Sequence, residues 1–158
     1  MELPKHDLAM TAEALNSGAI QLLRAMRVVD RDSGLTPQRL SVLSVLVDAG
    51  PLTLGRLAQA EDVSSPTMTR IVDGLVNLGL VYREPHPDSA RLVRVSATEH
   101  GREVMEAARA RRIEVLVAGV RSLGLREQRR LTSAAPVLAQ LAGAIRTHQA
   151  EMRPDGRA

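Results

Sequence analysis

Between Ser64 and Gly101 the chain reads SSPTMTRIVDGLVNLGLVYREPHPDSARLVRVSATEHG, and few folds accept that succession. Ser65 can cap a helix that has Pro66 at its first position, where proline costs least. Met68, Ile71, Val72, Leu75 and Leu78 then recur at helical spacing as a buried face, leaving Thr67, Thr69, Arg70, Asp73 and Asn77 outward. Gly79 stops the helix as a left-handed C-terminal residue, and LVYRE reads as a strand. Pro85 and Pro87 remove two backbone donors, so EPHPDSA is expected to be a protruding turn with neither helix nor regular ladder. RLVRVSA then alternates, with Val93, Val95 and Ala97 on one face and Leu92, Arg94 and Ser96 on the other.

The segments before it complete a pattern. Residues 7–30 carry Leu8, Leu15, Ile20, Leu22, Leu23, Met26 and Val29, a long helical stripe interrupted only by Gly18. After a turn at Gly34, Thr36 caps a second helix with Pro37 at its first position, Leu40, Leu43, Leu46 and Val47 on its inner side, and Gly50–Pro51 as its stop. Thr53 caps a short third helix whose Leu54, Leu57 and Ala58 face inward, and Asp62–Val63 connect it tightly to the fourth. Two short helices joined by a brief turn and followed by a hairpin have the order of a winged helix-turn-helix. A fourth helix of this kind can lie in the major groove of duplex DNA while the hairpin reaches the backbone or the minor groove.

Thr98 caps a fifth helix that runs to a break near Gly124, and a sixth begins near Arg126. Pro136 lies inside the sixth, where it predicts a bend or a later start, and residues 150–158 read as a flexible tail. The first, fifth and sixth helices carry apolar stripes that one copy of so small a fold covers poorly, which predicts pairing with a second copy. The expected fold class is mainly α with a small β-hairpin wing, a winged helix-turn-helix flanked by long dimerisation helices. The 158 residues form a single domain on this reading, with residues 7–30 and 98–148 for dimerisation and 36–97 for the winged helix.

Composition narrows the function by exclusion. No cysteine is present, which removes disulfides, thiolate metal sites, cysteine nucleophiles and thiol redox sensing. Tyr82 is the sole aromatic residue, so there is no array of platforms for stacking single-stranded bases, and duplex DNA is the better nucleic-acid partner. No stretch is long enough to span a bilayer and the N-terminus lacks an apolar signal region, so a cytoplasmic protein with no membrane partner is expected. The histidines, His6, His86, His100 and His148, lie in separate segments without metal-ligand spacing. With no nucleophile-elbow, zincin, dinucleotide or phosphate-loop pattern either, no enzyme, cofactor or metal is expected.

Charge is less helpful to the DNA reading. Residues 52–101 carry five basic and six acidic groups, whereas 102–158 carry eleven and six, with Arg109, Arg111 and Arg112 clustered and Arg126, Arg129 and Arg130 following. Those arginines read first as solvated helix faces paired with nearby glutamates. DNA binding therefore rests on the placement of particular side chains.

The whole chain resembles the multiple antibiotic resistance regulator (MarR) family of bacterial transcription factors over roughly residues 7–148. The matches are LTPQRLSVL in the second helix, SSPTMTRIVDGLVNLGLVYREPHPDSAR through the fourth helix and wing, and TEHGREV at the start of the fifth. The resemblance implies a homodimeric repressor whose first, fifth and sixth helices interlock while two winged helices read a pseudo-palindromic operator. It also implies a small-molecule effector, often an aromatic or lipophilic acid, bound between the dimerisation helices and the reading domain and altering DNA affinity. With one tyrosine in the chain, such a pocket is lined mainly by aliphatic groups; Met10, Met26 and Arg27 are candidates to line it, though core packing is the plainer role of the methionines.

Carried onto this sequence, the resemblance places Ser65, Pro66, Thr67, Thr69 and Arg70 at the reading end of the fourth helix. Their hydroxyls and guanidinium suit base edges and phosphates. Arg91 matches the wing arginine of the minor groove, and His86 and Arg94 are secondary wing candidates. One departure stands beside Arg91: the family's acid two positions earlier is Ser89 here, with Asp88 one residue before it. The alternative reading is a dimeric winged-helix protein-interaction module without specific DNA binding, favoured by the near-neutral charge of residues 52–101.

Overall fold

The computed structural model describes residues 4–31, 33–86 and 89–152, the side chains of 89–91 and 150 excepted. Among the described residues six helices and three strands follow one another in the order α1 (Lys5–Arg31), α2 (Pro37–Ala49), β1 (Leu52–Thr53), α3 (Leu54–Ala60), α4 (Ser65–Asn77), β2 (Val81–His86), β3 (Ser89–Ala97), α5 (Glu99–Arg121) and α6 (Leu125–Met152). The chain divides into two compact units, residues 1–113 and 114–158, with α5 crossing the boundary.

Local chemistry accounts for most helix ends in the first unit. Thr36 and Thr53 sit in extended conformation and accept the Arg39 and Arg56 N–H groups at 3.3 and 3.4 Å, while Gly50 leaves α2 at φ +80°. The cap of α4 is Ser64, one residue before the serine expected to hold it. Its Oγ accepts the Thr67 N–H at 3.4 Å, which puts Ser65 at the first helical position and Pro66 at the second. Proline tolerates either site, so Pro66 alone does not fix the register. At the other end the Leu80 N–H reaches the Leu75 carbonyl at 3.0 Å and the Gly79 N–H reaches Val76 at 2.9 Å, with Gly79 at φ +68°. That pair of bonds is the Schellman ending that glycine permits.

The sheet is antiparallel in the order β1-β3-β2. Its third strand, β1, escapes sequence patterning because it is two residues long: Leu52 pairs with Val95 and Thr53 with Arg94. The wing also departs from expectation. Pro85 pairs with Val93 and His86 with Ser89, so strand pairing runs into the stretch expected to be a turn, with an irregularity between Pro85 and His86. Because β2 is an edge strand, a missing proline donor need not remove a bond from the sheet interior. Pro87 and Asp88 lie outside the described residues.

Leu40, Val42, Leu43 and Leu46 of α2 pack with Leu57, Met68, Val72, Leu75, Val81 and Val95 into one aliphatic core. Val47, Leu54 and Ile71 border it, while Leu78, expected inside, is 46% exposed at the end of α4. The start of α5 is locked to this core by its own sequence. Thr98 Oγ1 donates to the Gly79 carbonyl at 2.7 Å and accepts the Gly101 N–H at 3.0 Å, and the Thr98 N–H reaches the Leu80 carbonyl. A Cβ on Gly101 would meet the Leu80 carbonyl oxygen directly, so this approach needs glycine. Further along α5, Arg112 grips Asp30 of α1 through both carboxylate oxygens at 2.5 and 2.6 Å, a partner other than the nearby glutamates the sequence suggested. That grip holds the Arg112 guanidinium above its usual pKa, the hydrogen bond to Asp30 being the main cause.

In the second unit α6 starts at Leu125 and runs unbroken through Pro136 to Met152, so no later start occurs. An interior proline removes one backbone bond, and the bonds of the turns on either side carry the helix past it. The expected tail is helical as far as Met152, and residues 153–158 lie outside the described residues.

Candidate nucleic-acid interface

The amino end of α4 is held tightly for an exposed helix. Ser64 and Thr67 share a hydrogen bond between their hydroxyls at 2.9 Å, so half-buried Thr67 is committed to the cap. Thr69 Oγ1 donates to the Ser65 carbonyl at 3.0 Å, which spends its proton and leaves its lone pairs outward. Thr69 can thus accept from a base amino group but is a poor donor to one in this rotamer. Pro66 has no N–H and that of Thr67 is capped. In the first turn of α4 Ser65 therefore offers the backbone donor left for a phosphate. Arg70 is exposed one turn further on, and among the described residues no hydrogen bond or ion pair engages its guanidinium.

The wing is tied to this helix and to itself. Arg83 of β2 reaches Asp73 of α4 at 2.6 Å, bracing the wing strand against the reading helix. Glu84 accepts from Arg94 at 2.8 Å and from the Ser96 hydroxyl at 2.7 Å across the β2–β3 pair. Those two bonds, Ser96 first, hold the Glu84 carboxyl below the usual carboxylate range. Arg94, expected as a secondary DNA contact, is thus already paired within the wing. His86 is half-buried at the distal end of β2 and has a partner. The backbone of Arg91 belongs to β3, while its side chain, Asp88 and the side chain of Ser89 lie outside the described residues, so the altered wing tip does too.

Sequence reasoning did not find the Asp73–Arg83 and Glu84–Arg94–Ser96 groups. The signal for the second exists only once the register is known, because Glu84 is directly opposite Arg94 in the ladder. It also overlooked Arg39. That side chain leaves α2 and lies against Gly74 in the middle of α4.

A cavity of about 380 Å³ opens between α1, α2 and the first part of α5, lined in part by Leu23, Met26, Arg27, Asp30, Met105 and Arg112. Met26 and Arg27 were expected to line such a pocket; Met10 is 58% exposed and does not. The lining mixes aliphatic side chains with Ser41, Ser44, Asp30 and two guanidiniums, of which Arg112 is already paired with Asp30.

Comparison with known proteins agrees with this architecture. A family model described as "MarR family" matches residues 33–92. An HTH-type transcriptional regulator of Mycobacterium tuberculosis is 37% identical over 133 residues, covering 84% of this chain and 93% of that protein. The crystal structure of a transcriptional regulator from Pseudomonas aeruginosa shares 30% identity and superimposes with a TM-score of 0.72, covering 89% of this chain and 98% of that one. The Staphylococcus aureus regulator MepR, solved bound to an oligodeoxyribonucleotide, shares the fold alone, with a TM-score of 0.64 at 18% identity over 83% of this chain and 97% of that one. The winged helix-turn-helix built on α2, α3, α4 and the β-hairpin, and this relatedness along most of the chain, identify it as a member of the MarR family of transcriptional regulators.

Proposed function

We propose that the chain acts in the cytoplasm as a homodimeric repressor that reads a pseudo-palindromic site in duplex DNA through α4 and its wing. The observation that carries this reading is the outer face of α4. Ser65 and Pro66 stand exposed at its amino end, Thr69 offers lone pairs, and Arg70 presents a guanidinium with no protein partner among the described residues. Thr67 supports the face as part of the cap, Arg91 is assigned to the minor groove, and His86 and Arg94 serve as flanking wing groups. That MepR, which shares the fold, was solved bound to an oligodeoxyribonucleotide supports DNA as the partner. Residues 7–30 and 98–148 would supply the dimer and 36–97 the reading head; the exposed apolar stripes of α1, α5 and α6 support that division. The cavity beside Met26 and Arg27 is the proposed seat of a small lipophilic effector that releases DNA, with Arg27 as the guanidinium left to favour an acid, since Arg112 is paired with Asp30.

Genome-wide mapping of bound DNA in the native cell tests the reading. A symmetric site enriched near the protein's own gene is expected. The absence of any enriched site would transfer the winged helix to protein interaction, the role that the near-neutral charge of residues 52–101 favours.

A further inference from the structure

Gly74 is an unusual occupant of its position. Glycine in a helix interior is unfavourable relative to alanine, yet Gly74 lies in the middle of α4 and is buried. A Cβ there would lie 2.7 Å from both Cζ and Nε of Arg39. The guanidinium from α2 therefore occupies the volume that a side chain at 74 would need. Thr67, Arg70 and Gly74 fall on one flank of α4 at spacings of three and four, which sets Arg39 one helical turn beyond Arg70 in the same row. Among the described residues neither guanidinium has a hydrogen bond or an ion pair. The acid nearest in sequence, Asp73, is committed to Arg83.

We propose that Arg39 and Arg70 form a two-guanidinium clamp for one phosphate of duplex DNA, and that Gly74 is the positioning residue that seats Arg39 in it. This rests on the DNA-binding reading of α4 above and adds to it a contact from α2. Two cations set one turn apart on the same flank with no ion pair gain from a phosphate that bridges them. The planar fork of arginine matches phosphate oxygens with paired N–H groups, which a lysine could not reproduce. A phosphate contact strengthens binding to any sequence, so the clamp sets affinity and register and leaves base preference to Thr69 and its neighbours.

The test is salt-dependent binding of the full chain to a fluorescein-labelled mixed-sequence duplex, with Arg39→Ala, Gly74→Ala and the double variant compared by anisotropy. Arg39→Ala should weaken binding about tenfold and lower the slope of log K against log salt by about 0.9 for each protomer bound. Gly74→Ala keeps every charge, and the nearest atoms to its new methyl belong to the far end of a flexible side chain, which can shift. It should therefore melt no lower than the wild type while binding DNA more weakly, and it should add nothing in the Arg39→Ala background. An unchanged salt slope in Arg39→Ala would overturn the clamp, and wild-type affinity in Gly74→Ala would overturn the seating role. A wild-type chain that binds no duplex would remove the DNA reading itself, and the clamp with it, before any substitution is compared.

Discussion

The winged head and the long helices are built from the same aliphatic residues, yet they bury them differently. Among the described residues the buried apolar side chains run from Leu35 to Ala108, and α1 and α6 contribute none. Leu43, Leu46, Leu57, Met68 and Leu75 are almost wholly enclosed, whereas Leu23 is 65% exposed in α1 and Val137 is 59% exposed in α6. The head closes its own core. The helices flanking it present apolar stripes that a single chain leaves in water, a state costing roughly 25 cal/mol for each Å² that a partner could cover. Stability in the head is therefore a property of one chain, and on the dimeric reading stability in the long helices is a property of two.

The sharpest way to break this contrast is a pair of substitutions read at two protein concentrations. Leu43→Ala empties a fully buried site and should cost about 2–5 kcal/mol in urea denaturation, by the same amount at low and high concentration. Leu138→Glu places a charge in the α6 stripe and should give mostly monomer by sedimentation, with a loss of stability that grows on dilution. A Leu138→Glu protein with unchanged mass would refute pairing through α6.

What the sequence showed follows the same division. The helices of the head were legible because Thr36, Thr53, Gly50 and Gly79 act on their immediate neighbours. The unpaired stripes of α1, α5 and α6 were legible as periodicity alone. Contacts made across the head were not: β1 is too short to alternate, Glu84 meets Arg94 only through the hairpin register, and Arg39 meets Gly74 only through the α2–α4 crossing. The wing turn is shorter than its two prolines suggest because β2 is an edge strand, a position that nothing local in the sequence marks. Helical spacing turns Thr67 outward, but its hydroxyl and N–H both serve the Ser64 cap, which spacing alone does not reveal.

That shift of the cap from Ser65 to Ser64 sharpens the contrast within α4, where one serine serves the fold and its neighbour is free for a ligand. Ser64→Ala should lower stability by about 1 kcal/mol, because the Thr67 N–H loses its acceptor. Ser65→Ala should stay within about 0.5 kcal/mol of the wild type, since its side chain stands exposed. Thermal melts of the two variants side by side decide the register, and equal losses would return the cap to an undefined serine pair.

The smallest expected effect separates the wing from the core by its dependence on pH. The bonds from Ser96 and Arg94 depress the Glu84 carboxyl below its unfolded value. A depressed acid stabilises the fold above its unfolded pKa, and the contribution fades as pH falls through the folded one. Glu84→Gln should accordingly melt slightly below the wild type at neutral pH, with the gap closing as acid protonates Glu84 in the wild type. The gap should stay small because the pair is at the surface, where solvent screens it. A core substitution such as Leu43→Ala carries no such pH signature, so a gap in Glu84→Gln that stayed constant into acid would mean the wing is held by packing rather than by charge. If the gap does close, Glu84 is what keeps Arg94 on the wing at neutral pH, and removing it should free that arginine for the DNA backbone.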